Sequence, residues 1–250
     1  MRVVVLFVAI LLLPALAAPA VGDVHVEDVP DRVVMLVMRG HTFNGLSYPD
    51  TPLLEAFVGE KVQVTVLVPA AAAEAHTFHM HGHPWLVPSQ GRVVDTVLLK
   101  PGDAHSFTVT AGGAGLHPGD WMYHCHFDDH VAGGMWGVFR VYPYATHVTP
   151  VPTGLLVSTD RLGVPLDGAD LSVTLDGEPV PAHVAPLGGG RYHVHTGLPP
   201  DAKGVLVVRA HHALGDSVAR AGLGGVPVPT PTIADESDLP REALGHARHG

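Results

Sequence analysis

The sequence predicts an all-β protein in two parts, a Greek-key barrel followed by a small immunoglobulin-like β-sandwich. Three observations carry this expectation. Glycine and proline, 29 and 23 of them among 250 residues, cut the chain into short apolar runs, which suits strands joined by turns rather than long helices. Lys61 to Val68 (KVQVTVLV) alternates polar and apolar side chains, the period of a half-buried strand. About eight such runs fall within roughly 120 residues, the density of a Greek-key barrel or sandwich.

Along the chain, Met1-Arg2, the apolar run Val3 to Leu13, and the small-residue pairs at Ala15-Leu16-Ala17 and Ala18-Pro19-Ala20 form the pattern of an export signal over residues 1–20. An uncleaved membrane anchor is the alternative, but the run is short for a span and Pro14 interrupts it. The expected location is therefore secreted, periplasmic or cell-surface. Strands are expected at Val33 to Met38, Lys61 to Val68, Arg92 to Leu99, His105 to Thr110, Trp121 to His126 and Gly137 to Tyr142. Turn chemistry at Pro49-Asp50, Pro101-Gly102-Asp103 and Pro118-Gly119-Asp120 separates them, and Asp128 to Ala132 can form a short helical piece. These define a first domain at 24–145.

Tyr142 to Pro152 (YPYATHVTPVP) reads as a linker. A second domain at 153–224 carries strand candidates at Gly154 to Thr159, Asp170 to Leu175, Arg191 to His195 and Gly204 to Ala210. Residues 225–250 turn proline-rich and then charged, the composition of a flexible tail. The net charge of −10, with no long Lys/Arg run, argues against nucleic acid as a partner.

The chain has one cysteine, Cys125. In an oxidising compartment cysteines usually pair, so a lone one is either a buried inert thiol or a metal thiolate. Its neighbours favour the thiolate. A blue copper site takes two imidazoles, one thiolate and a weak axial thioether. Cys125, His130 and Met135 lie in one short loop, and His76 is the natural second imidazole. Strand parity sorts the remaining histidines. His124 and His126 point together, away from Cys125; His79 and His81 share a face that His76 does not. One set, His76, Cys125, His130 and Met135, can meet at one copper. The other, His79, His81, His124 and His126, can meet just behind it, and the backbone of residues 124–126 joins the two.

These segments resemble the last cupredoxin domain of the multicopper oxidases, the laccase-like family, whose pattern is H-x-x-H-x-H-G followed by H-C-H-x-x-x-H-x-x-x-x-M. Phe43 to Pro49 (FNGLSYP) resembles the family's lead-in to that domain. The resemblance implies a cupredoxin barrel. It implies that His76, Cys125, His130 and Met135 hold a type 1 copper that takes electrons from a small-molecule or metal-ion reductant. It implies further that His79, His81, His124 and His126 hold part of a type 2/type 3 site where oxygen is reduced. The family's cluster takes eight histidines; this chain supplies four at the right spacing. The rest would come from another subunit, as in a homo-oligomer such as a trimer, or from a separate cupredoxin partner. The alternative is an exported type 1 electron carrier or copper-handling protein without oxidase activity.

His193-Val194-His195 is the one further H-x-H, with nothing of the family motif around it. His211-His212 reads as a surface pair, His246 and His249 as solvated, and His41, His83, His105 and His117 carry no metal assignment. Many family members have an acid after the type 1 histidine for proton delivery; here it is Val131, and Asp128 or Asp129 could stand in. Trp85, Trp121 and Trp136 are expected to pack rather than react.

Overall fold

The structure is a computed structural model describing residues 29–232. The expected export segment, His246 and His249 lie outside the described residues. Among the described residues, no helix is long and apolar enough to cross a membrane.

Eleven strands make the first unit: β1 (Arg32–Arg39), β2 (Thr42–Phe43), β3 (Leu54–Phe57), β4 (Lys61–Leu67), β5 (His76–Met80), β6 (Trp85–Val87), β7 (Arg92–Val94), β8 (Thr96–Leu99), β9 (Ala104–Thr110), β10 (Gly119–His124) and β11 (Trp136–Tyr142). A short α-helix, α1 (Asp128–Ala132), sits between β10 and β11. One sheet runs β2-β1-β4-β9 and the facing one β3-β11-β10-β5-β8, with β1–β4 and β3–β11 parallel. Alternation buries Val62, Val64 and Val66 of β4 and leaves the residues between them facing out. Those valines meet Phe78, Met80, Tyr123 and Phe139 of the second sheet in one core, and Cys125 and Met135 belong to that core.

The expected strand at Arg92 to Leu99 is two strands in different sheets. β7 pairs with β6 in a hairpin, while β8 joins β5. Asp95 is the break: its carbonyl accepts from Met80 N at 3.3 Å and from His79 Nδ1 at 2.9 Å, which turns the chain onto β5.

The second unit is a sandwich of β12 (Ala145–Val151), β13 (Gly154–Arg161), β14 (Val164–Pro165), β15 (Asp170–Leu175), β16 (Glu178–Pro179), β17 (Ala182–Gly188), β18 (Arg191–Thr196), β19 (Gly204–His212) and β20 (Gly215–Leu223). One sheet runs β12-β13-β18-β17, with β14 beside β13; the other runs β16-β15-β19-β20. Their inner faces bury Leu155, Val157, Val173, Val194, Leu206 and Val208. Most of the expected linker is strand β12. It is an edge strand, so Pro150 costs the sheet no ladder donor it needs. β17 and β20 went unpredicted for a similar reason. Both are edge strands, and β17 carries Pro186 and a register shift before Gly188.

The two units share a seam. Phe57 and Tyr142 from the first pack with Val218 from the second. Glu55 accepts from both Tyr142 Oη and Arg220. Burial first, then the Glu55 charge, keep the Tyr142 phenol protonated. Tyr144 is fully buried at the junction and donates to Ala210 O at 2.7 Å. Residues 225–232, expected as the start of a loose tail, run back to the first unit, where Leu53 N donates to Pro231 O at 2.7 Å. Pairing this buried backbone donor holds that stretch against the first unit.

Replacing Glu55 by alanine removes the acceptor shared across the seam. The expected loss is about 2–3 kcal/mol, read as a lower urea midpoint. An unchanged midpoint would show that apolar contact alone holds the seam.

Candidate metal centre

The spacing C-x4-H-x4-M becomes geometry through backbone hydrogen bonds. Cys125 N donates to Met135 O at 3.2 Å, and Met135 N donates to His130 O at 2.9 Å. Between them α1 opens with His130 N and Val131 N both donating to Phe127 O. The loop is thus folded on itself, with Cys125, His130 and Met135 all buried. The lead-in segment braces it from outside. Tyr48 N donates to Gly134 O at 2.8 Å, and the Tyr48 ring stacks on Trp136 at 3.8 Å.

His76 arrives from β5. Its Nδ1 lies 3.1 Å from His130 Nδ1, which lies 3.4 Å from Cys125 Sγ. Each of the three residues has a donor atom within 4.8 Å of the others. Two imidazoles and a thiol at these separations fit one ion with bonds of roughly 2.0–2.3 Å, and the His2Cys set suits copper. Burial, then the neighbouring His130, lowers the His76 pKa, so the ring is held in its neutral, ligating form. His76 Nε2 is buried and has no hydrogen-bond partner among the described residues, which leaves Nδ1 as the atom the site addresses. Met135 is fully buried in the same core.

The second set forms on the other side of the same backbone. β10 pairs with β5 so that His124 lies opposite His79 and Tyr123 opposite Met80. His81 N donates to Met122 O at 2.9 Å, which extends the pairing one step beyond β5. Ring nitrogens of His79, His124 and His126 lie within 4.8 Å of one another, and His81 Nε2 is 3.1 Å from His124 Nε2. The tautomers are set by carbonyls, which can only accept. His79 Nδ1 donates to Asp95 O and His124 Nδ1 donates to Cys125 O at 2.8 Å, so both present Nε2. Burial, followed by the crowding of neighbouring imidazoles, pushes the His124 pKa down to about 4. Four imidazoles facing one space are a donor set for borderline-soft ions such as copper.

The glycine of H-x-H-G has a steric reason. Gly82 has φ +66°, and a Cβ there would come within 2.2 Å of the Trp121 ring. Trp121 is therefore a packing residue, and so are Trp136 on Tyr48 and Trp85 on Phe107. His83, given no role by the sequence, is buried and neutral. Its Nδ1 donates to His81 O at 2.7 Å and its Nε2 accepts from Gly112 N at 3.0 Å, which fixes the His81 backbone. His105 accepts from Trp85 Nε1 at 3.0 Å.

Sequence reasoning missed Thr77. Its hydroxyl accepts from His126 N at 2.7 Å and lies 3.6 Å from Cys125 Sγ, so one side chain touches both sets. Its parity with His79 was the available signal. Asp128 and Asp129 are exposed, and Asp129 groups with His41 and His130 rather than with the second set. The acid beside the second set is Asp95, with Oδ1 3.8 Å from His79 Nδ1. Glu74 stands 3.6 Å from His130 Nε2. His193 and His195 contact each other on β18, within the second unit.

A family model described as multicopper oxidase matches residues 24–145. Human hephaestin is 30% identical over 161 residues, covering 64% of this chain and 13% of that protein. A probable nitrite reductase-hydroxylamine oxidoreductase fusion protein of Kuenenia stuttgartiensis is 32% identical over 142 residues, covering 49% of this chain and 16% of that protein. Copper resistance protein A of Escherichia coli is 30% identical over 123 residues, covering 45% of this chain and 19% of that protein. The matched stretch spans less than a fifth of each of these relatives. On the motifs, the paired donor sets and these matches together, residues 24–145 carry a multicopper oxidase-type domain.

Proposed function

We propose that the chain is an exported copper-dependent oxidoreductase. In this reading His76, Cys125, His130 and Met135 hold a type 1 copper. His79, His81, His124 and His126 supply half of a type 2/type 3 site that another subunit or a partner chain completes. The observation that carries it is the junction at Cys125. Its Sγ faces His130 Nδ1 at 3.4 Å, while the flanking His124 and His126 face His79 on the opposite side. Copper in these positions supplies one-electron chemistry between a small-molecule or metal-ion reductant and oxygen.

The chain's own residues do the rest. The core around Cys125 and Met135 excludes water from the first set. Carbonyls of Asp95 and Cys125 hold the ring protons of His79 and His124 away from the second set. One peptide unit separates Cys125 from each of His124 and His126, a short covalent path between the sets, and the Thr77 hydroxyl contacts both Cys125 Sγ and His126 N. The Asp95 carboxylate is the acid beside the second set, with Oδ1 3.8 Å from His79 Nδ1, whereas the residue after His130 is Val131.

A second reading, a type 1 electron carrier or copper-handling protein, is favoured by one observation. The second set gathers only four histidines among the described residues, and His193 and His195 stand apart from it.

Copper-loaded protein should be blue, and Cys125→Ser should abolish that absorption with the fold retained by circular dichroism; a blue variant refutes the assignment. Met135→Leu removes a weak axial donor, so the reduction potential should rise while the colour persists. A potential that falls or stays unchanged in voltammetry excludes Met135 as the axial group.

His79→Ala or His124→Ala should lower oxygen uptake by more than about a hundredfold, beyond the usual effect of losing an outer-shell partner, without bleaching the blue band. Uptake should appear only in an associated form of the wild type. Blue protein with one copper per chain and no oxygen uptake in any assembly state would establish the carrier reading instead.

A further inference from the structure

The strand β18 alternates strictly. Tyr192 and Val194 point into the sandwich core, so His193 and His195 share the outer face. Their rings are close, with centroids 4.0 Å apart, and His193 Nδ1 lies 2.9 Å from His195 Nε2. Two neutral imidazole nitrogens cannot face each other at that separation with both lone pairs bare. An N–H on one ring donated to the bare nitrogen of the other, or a metal ion held by both, satisfies that geometry. The far nitrogen of His193 is tied to Thr153 Oγ1 at 3.0 Å. A partner on the second ring nitrogen fixes the ring and its tautomer, as it does for metal-bound histidines. On the neighbouring strand β17, His183 is the register partner of His195, and the two rings stack with centroids 6.3 Å apart.

We infer that His193 and His195, with His183 as third donor, form a separate surface site for a borderline-soft divalent ion, copper(II) or zinc(II). Imidazole donors suit these ions. Two nitrogens bonded to one tetrahedral ion sit roughly 3.3 Å apart, given bonds of about 2.0–2.1 Å. The ion would thus replace the bridging proton with a shift of a few tenths of an ångström. The His183 ring stands beside His195 rather than at the shared point, so it would reach the ion only by moving, and water fills the rest. The site is partly exposed, so binding carries no large desolvation penalty, and an ion there exchanges with solvent. It stands on the second unit's own sheet and does not depend on the oxidase reading.

The test uses the full chain with its blue site already filled, titrated with copper(II) and followed by equilibrium dialysis and electron paramagnetic resonance. Wild type should bind one copper(II) more than the His193→Ala/His195→Ala double variant, and that ion should show nitrogen hyperfine splitting. The blue band should be the same in both. His183→Ala should weaken the extra ion about tenfold. Equal stoichiometry in wild type and double variant overturns the site, and undiminished affinity in His183→Ala overturns the third donor. Should the double variant fail to fold, His195→Asn, which keeps a polar surface side chain, carries the same stoichiometric test.

Discussion

The pairing of β10 with β5 is short, with His124 opposite His79 and Tyr123 opposite Met80, and the rest of the site depends on its register. Side chains alternate across a strand, so a slip of one residue would send every side chain to the other face. The thiol would then face the cluster side and His124 the core. The register is guarded from both faces. Inside, Phe78, Met80 and Tyr123 are fully buried and cannot be turned outward without losing the core. Tyr123 Oη also donates to Pro52 O at 2.6 Å. Outside, His81 N continues the ladder to Met122, and the Thr77 hydroxyl takes His126 N where the ladder ends.

That register makes one backbone serve two chemical environments. On the core side, burial keeps His76 neutral beside a thiol and a thioether, a soft and dry donor set. On the other side, imidazoles crowd one another, and carbonyls of residues already committed to the sheet decide which nitrogen each presents. The two environments share Cys125: its side chain belongs to one, and its carbonyl holds the His124 ring of the other. A substitution at Cys125 that moves its backbone would therefore disturb both sets, while a side-chain change alone would touch only the first.

The second unit is fastened to the first rather than tethered to it. Glu55 binds Tyr142 and Arg220 at once, and the chain past β20 returns to bridge Pro52 with Thr232. The return sets Pro231 and Thr232 against Leu53 and Pro52, immediately before β3, the edge of the sheet that carries β10 and β5.

Much of this was readable from the sequence because periodicity and spacing are local. The valines of β4, the short helix at Asp128–Ala132, and the sorting of His76, Cys125, His130 and Met135 from His79, His81, His124 and His126 all follow from alternation along a strand or from separations within one loop. Where sequence reasoning went astray, the cause was a contact distant in the chain. Arg92 to Leu99 looks like one strand, and only the bonds from His79 and Met80 to Asp95 divide it. Pro150 looks like a linker residue until β12 proves to be an edge. His83 and Thr77 carry no motif signal of their own, because their roles lie in hydrogen bonds to Gly112, Cys125 and His126. The identity and spacing of the histidines, the cysteine and the methionine were written in the sequence. Their convergence, their tautomers and the braces around them were decided by tertiary structure, because hydrogen bonds between distant segments exist only once the sheets have paired.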